Sequence, residues 1–241
     1  MYKLWIILIL TVSLCGCKEN VPKCYKNKTY LTNYWIPKEN TKDVLNNGKE
    51  VYLVDNEDKN IRNIDNKVIK SVSKITYQKC QMEGTCLLDN ILINLDSNRN
   101  TFKIVDRNKY PYGLGSNNNP LKPFVSVASN DIKIGTTLLI KELINIKLPN
   151  GMIHNGCVRV DDKGWSFDEC QLDYFVVGYY FYVNMNITKY VTVSIQSCEI
   201  LDYANDEVKN WFKTSTSVKS AFINNTYNFL MFVLFLFVSL M

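Results

Sequence analysis

The chain of 241 residues has a single histidine, His154, and no Cys-x2-Cys pair among its eight cysteines. Zinc centres are built chiefly from thiolates and imidazoles at close spacing, so this shortage argues against a metal site, and no cofactor is implied. Blocks of like charge are also absent. The 28 basic and 23 acidic side chains leave a mild, scattered net charge of +5, which gives nucleic-acid binding little support. Long apolar runs are missing too. The two that exist, Leu4–Leu14 and Phe229–Met241, are short of the roughly 20 residues that a helical membrane span needs. No internal repeat is found.

What is present begins at the two ends. Lys3, an apolar core and the small residues Ser13 and Gly16 match a secretory signal peptide over residues 1–17. An uncleaved anchor, or a lipid carried by the last cysteine of Leu14-Cys15-Gly16-Cys17, is the alternative. At the other end come Ser215-Thr216-Ser217, a spacer from Val218 to Asn228, and the apolar tail 229–241. Small triplet, spacer and tail match a glycosylphosphatidylinositol attachment signal, with a retained tail anchor as the rival. Either reading makes the product secreted and tethered to a membrane through its C-terminus, on the extracellular side.

Beyond the leader, six cysteines remain: Cys24, Cys80, Cys86, Cys157, Cys170 and Cys198. An even set in an oxidising compartment suggests three disulfides, whose connectivity the sequence leaves open. The local pairs Cys80–Cys86 and Cys157–Cys170 are the expected ones. Sequons at Asn27, Asn186 and Asn224 are candidate glycan acceptors, the last lying beyond the anchor site.

Short β-branched or aromatic runs recur between Asn, Asp and Gly residues, at 51–54, 68–72, 91–95, 102–105, 126–128, 137–140, 158–160, 174–177 and 190–195. Such spacing indicates an all-β barrel or sandwich. Residues 206–213 are expected to form a helical turn or two, with Val208, Trp211 and Phe212 on one side. A long Asn-rich turn near Arg107–Pro123 divides the chain into an N-terminal β-rich segment (18–107) and a C-terminal barrel (108–201), followed by a spacer (202–228).

The richest stretch is residues 154–178, HNGCVRVDDKGWSFDECQLDYFVVG. It brings Asp161, Asp162 and Asp173 near His154, Trp165 and Phe167. Asp173 lies between apolar neighbours, where burial raises a carboxyl toward the range of a general acid. Trp165 and Phe167 are candidate sugar platforms, and His154 and Asp161 candidate substrate-binding residues. Each has a plainer reading: Asp161-Asp162-Lys163-Gly164 as a turn, His154 as a turn histidine, the aromatics as core or loop anchors.

From Tyr110 the order YPYGLGSNNNPLKPFVSVAS, IKIGTTLLI and then residues 154–178 resembles the three-aspartate (3D) domain. That domain is a six-stranded double-psi β-barrel shared with the C-terminal part of the membrane-bound lytic transglycosylase A family. Asp162, followed by Lys163-Gly164-Trp165, and Asp173, eleven positions later in Leu172-Asp173-Tyr174-Phe175, carry the resemblance. The segments Tyr30–Trp35 and Met82–Thr85 resemble the leader of eukaryotic secreted members. The resemblance implies Asp173 as acid/base, Asp162 as its neighbour, and O-glycosyl bond cleavage in peptidoglycan or a related cell-wall polysaccharide. Two departures stand out. Trp165 replaces the second glycine of the pattern, and the first aspartate falls at Ser129-Asn130-Asp131, on Asn130 or Asp131. An expansin-like wall-binding module without catalysis, or a structural surface protein, is the alternative.

Overall fold

The structure, a computed structural model, describes residues 22–213. The expected signal peptide, the Asn224 sequon and the C-terminal tail lie outside the described residues. In chain order the elements are β1 (Thr29–Tyr34), β2 (Lys42–Val44), β3 (Glu50–Tyr52), β4 (Asp58–Arg62), β5 (Val68–Ser73), α1 (Lys74–Glu83), β6 (Thr85–Leu88), β7 (Ile91–Leu95) and β8 (Phe102–Ile104). There follow β9 (Ser126–Ala128), β10 (Thr137–Lys147), β11 (Ile153–Asp162), β12 (Gln171–Phe175), α2 (Tyr179–Val183), β13 (Tyr190–Val191), β14 (Val193–Ile195) and α3 (Asp206–Lys213).

Seven strands join in one sheet, in the order β13-β1-β12-β9-β11-β10-β14. Its two outermost strands are consecutive in the chain, separated only by Thr192. They therefore bring the edges together, and the sheet curls into a nearly closed barrel. Six strands were expected; the seventh arises because the run 190–195 splits, β13 pairing with β1 and β14 with β10. The barrel also takes in β1, which lies well before residue 108. It pairs parallel to β12 in the register Thr32↔Asp173 and Tyr34↔Phe175.

The barrel is filled by a large apolar cluster that includes Leu31, Phe124, Val127, Leu138, Val158, Val160, Leu172 and Tyr174, all buried. A second, smaller cluster of Ile61, Val72, Cys80, Cys86, Leu88, Ile93 and Phe102 holds α1 and β4–β8 together. Helix α1 forms where strand-like residues precede it because its ends are capped. The Ser73 hydroxyl accepts from the Thr76 N–H, and Gly84, at φ 78°, closes the other end. The helix expected at the C-terminal side is present as α3, with Val208 and Phe212 buried.

The disulfides are Cys24–Cys170, Cys80–Cys86 and Cys157–Cys198. The expected Cys157–Cys170 pair does not form. Register explains this: Asp162 and Asp173 both sit level with Ala128. Cys157 lies five positions back from Asp162 on β11, while Cys170 lies three positions beyond that level on the antiparallel β12. The two are therefore separated along the strands by roughly 25 Å, far beyond the reach of a disulfide. Cys170 instead meets Cys24, just ahead of β1.

Candidate active site

The pairing register sets four residues in a row across the barrel. Asp162 on β11 and Asp173 on β12 both pair with Ala128 on β9, and Thr32 on β1 pairs with Asp173. Adjacent strands stand ~4.8 Å apart, so the two aspartate backbones are roughly 10 Å apart, with the small Ala128 side chain between them. All four residues line one cavity of about 740 Å³. The position level with the two aspartates is thus Ala128, not Asn130 or Asp131. Asn130 donates to the Phe167 carbonyl (2.6 Å), and Asp131 accepts from the Tyr25 hydroxyl (2.7 Å) and the Cys170 N–H (3.0 Å).

A β-bulge decides which of the adjacent aspartates faces the cavity. Arg159 pairs with Ser126 and Val160 with Val127, but the register then slips by one, so that Asp162 rather than Asp161 meets Ala128. Asp161 is buried outside the cavity, accepting from the Ser126 hydroxyl and the Arg159 guanidinium, each at 2.6 Å. The expectation that it binds substrate is corrected accordingly.

Asp162 is fixed by the loop ahead of β9. Its Oδ1 accepts from the Ser116 N–H (2.7 Å), the Ser116 hydroxyl (2.8 Å) and the Lys163 N–H (2.8 Å). This approach requires Gly115: a Cβ there would collide with the Asp161 carbonyl oxygen and crowd the Asp162 side chain. Burial raises the Asp162 carboxyl above its ordinary value, while the bonds from Ser116 and Lys163 pull the other way.

Asp173 differs in kind. Its Oδ1 is buried without a hydrogen-bond partner. Burial is the main cause that lifts its carboxyl from 3.8 to about 7; the Thr32 hydroxyl opposes the rise, and the charges of Glu83 and Asp162 add to it. Near neutral pH it exchanges a proton readily, as a general acid must. Two more buried polar atoms among the cavity-lining residues also lack partners, Asn33 Oδ1 and the Tyr34 hydroxyl. These three atoms, on adjacent strands β1 and β12, are the polar groups of the cavity lining that the protein itself leaves unpaired among the described residues.

The lining also takes in residues of α1 and β6–β8. Glu83 at the end of α1, Thr85 on β6, Asn94 on β7 and Lys103 on β8 all line the cavity. Lys103 Nζ reaches across to Asn118 Oδ1 (2.8 Å). At the rim, the Arg99 guanidinium lies 4.1 Å from the centroid of the Trp165 ring. Trp165 is 48 % exposed and, like Phe167, lines the cavity. The site is therefore a polar cleft lined from both units, with Trp165 and Phe167 in the same lining as the two carboxyls.

His154 lies elsewhere. It is fully buried, donates from Nε2 to the Phe124 carbonyl (2.8 Å), accepts at Nδ1 from the Gly156 N–H (2.8 Å), and stacks 4.7 Å from the Tyr203 ring. Burial lowers its pKa to about 4, so it is a neutral core residue that neither orients a carboxylate nor touches the cavity. The expected binding role is corrected. Asn27 and Asn186 are exposed, as glycan acceptors must be. Thr32, Asn33, Tyr34 and Glu83 fall in the segments that resemble the leader of eukaryotic secreted members, and nothing in their local pattern marks them as site residues.

No family model matches the sequence, and no curated protein is similar to it. Among solved structures, the chain is similar to Escherichia coli MltA with bound chitohexaose, at TM-score 0.42 and 13 % identity over 69 % of this chain and 70 % of that one. A second structure of Escherichia coli MltA, described as having a unique lytic transglycosylase fold, gives TM-score 0.41 and 12 % identity over 71 % and 73 %.

Proposed function

We propose that the protein is a glycan-cleaving enzyme of lytic transglycosylase type, acting on O-glycosyl bonds in peptidoglycan or a related cell-wall polymer, with Asp173 as acid/base. The observation that carries this reading is the Asp173 carboxyl, buried, unpartnered at Oδ1 and lifted to about 7 inside a polar cleft large enough for sugar rings. In the first step Asp173 gives its proton to the glycosidic oxygen as the C1–O bond breaks, and positive charge spreads over C1 and the ring oxygen. The carboxylate then takes the proton of the same sugar's 6-hydroxyl as that oxygen bonds to C1, so that a 1,6-anhydro product leaves and the acid is restored. Asp162, held by Ser116 and Lys163, keeps the two loops at the cleft in place and supplies negative charge. Trp165 and Phe167 offer flat faces for sugar rings.

The three disulfides support an oxidising compartment, consistent with secretion. No helix among the described residues is long and apolar enough to cross a membrane, and tethering through the C-terminus remains part of the proposal. The test is digestion of purified peptidoglycan by the ectodomain, with mass spectrometry of the soluble fraction. Anhydro-muropeptides from the wild type and none from Asp173→Asn support the reading. Wild type and variant alike releasing nothing, while both are retained on the insoluble polymer, overturns it in favour of a wall-binding module.

A further inference from the structure

A buried charge network reaches the lining of the cleft. Lys79, 1 % exposed on α1, donates to Glu83 Oε1 (2.8 Å) and to the Val44 carbonyl (3.0 Å), and lies 3.1 Å from Asp43 Oδ1. Asp43 on β2 also accepts from the Trp35 indole N–H (3.3 Å), and the Lys79 ammonium lies 4.8 Å from the centroid of the Trp35 ring. One ammonium thus serves two carboxylates. Burial raises both carboxyls above their ordinary values, and the charge of Lys79 opposes the rise in each. Of the two carboxylates only Glu83 lines the cavity, its side chain 12 % exposed there.

We propose that Glu83 is the second functional carboxylate of the cleft: held by Lys79 and lining the same cavity as Asp173, it stabilises the positive charge that develops on the sugar. Its charge also favours the protonated form of Asp173 before cleavage. This deepens the glycan-cleaving reading and rests on it. Glu83 forms no covalent bond with the substrate; it acts through its field, which is worth more beside buried groups than in bulk water. The groups that face Asp173 are Asp162 from β11, Tyr34 and Thr32 from β1 and Glu83 from α1; Lys103 and Lys163 line the cleft farther along. Those that face Glu83 are Lys79 from its own helix and Asp43 from β2.

The experiment compares the wild type, Glu83→Gln and Glu83→Asp, each with and without Asp173→Asn. The Asp173 carboxyl is titrated by carbon NMR, and kcat and KM are measured against pH on soluble peptidoglycan fragments. Glu83→Gln retains an acceptor for Lys79, and removing its charge favours ionisation of Asp173. The Asp173 midpoint and the alkaline limb of kcat should therefore move together to lower pH, with kcat reduced about tenfold or more and KM little changed. Glu83→Asp should restore the midpoint in part. An Asp173 midpoint that is the same in wild type and Glu83→Gln overturns the inference whether or not the protein turns over. A wild type without turnover, by contrast, counts against the underlying reading alone. If Glu83→Gln fails to fold, the same titration on Glu83→Asp, which draws the carboxylate back by one methylene, must show a smaller shift in the same direction.

Discussion

Replacing Asp173 by asparagine should abolish glycan cleavage and, in the same protein, raise stability at alkaline pH. The folded carboxyl titrates near 7 against an ordinary 3.8, so the native state holds a proton that the unfolded chain has already lost. A raised acid contributes no penalty below its unfolded pKa. Stability is then lost as pH climbs from about 4 to 7, and the loss levels off above that. At 1.36 kcal/mol per tenfold, the full rise corresponds to ~4 kcal/mol. The carboxyl opens partly into the cleft, and solvent there reduces this to about 2–4 kcal/mol. For a folded unit of this size, that is an increase in Tm of roughly 5–15 °C for the variant at pH 8. The new amide inherits the unpartnered environment of Oδ1, which takes back part of the gain. Calorimetry of wild type and Asp173→Asn at pH 4 and pH 8 provides the assay. The variant should match the wild type at pH 4 and exceed it at pH 8. A variant destabilised equally at both values would mean that the carboxyl is a structural acceptor, and the case for an acid held ready in the cleft would fall with it.

His154 works in the opposite direction: its pKa is lowered to about 4, so stability should fall as pH drops from 6.5 toward 4, by up to ~3 kcal/mol; chemical denaturation across that window, repeated on His154→Gln, should show a weaker pH dependence in the variant. Cys24→Ser/Cys170→Ser should cost up to ~5 kcal/mol, as expected for a bridge spanning 146 residues, and peptide mapping without reductant should recover Cys157 joined to Cys198 and not to Cys170. Asp162→Ala releases Ser116 and Lys163 together and should lower stability by about 1–3 kcal/mol while raising KM, whereas Asp162→Asn keeps the Oδ1 acceptor and should lose much less; thermal melts and steady-state kinetics on soluble fragments separate the two.

The strands were legible where apolar β-formers run together, and the sequence reading of 68–72, 91–95 and 137–140 falls on β5, β7 and β10. What it could not show was pairing. Strand β1 has little to set it apart locally, and its place in the barrel comes from β12, which follows it by about 140 residues. Helix α1 was hidden because KITYQKCQME has no clear apolar stripe; its caps and the buried Cys80 define it. The same limit applies within the site. Asp161 and Asp162 are chemically identical neighbours, and only the register slip on β11 sends one to the Arg159 pair and the other to the cleft. His154 looked like a site residue because it is polar and sits near aspartates. It is drawn into the core by Tyr203 and by the Phe124 carbonyl, contacts that local sequence does not encode.

The cleft lies on a seam, and that position constrains how it works. Asp162 and Asp173 belong to the barrel, whereas Glu83, Thr85, Asn94 and Lys103 belong to the unit built around α1 and β6–β8. Among the described residues no disulfide crosses between these two groups: Cys24–Cys170 and Cys157–Cys198 lie within the barrel, and Cys80–Cys86 within the smaller unit. Across the seam run apolar contacts of Leu87 and Leu92 and polar links, among them Lys103 to Asn118, Arg99 over Trp165, and the Lys79 network that takes in Trp35 beside β1. Links at the rim such as Arg99–Trp165 are individually worth on the order of 0.5–1 kcal/mol. Those buried with Lys79 resist separation more strongly, because parting them would strand a charge. The seam is therefore packed at its buried end, where Leu87 of β6 and Leu92 of β7 join the barrel's apolar cluster, and is held at its mouth by single polar and cation–ring contacts.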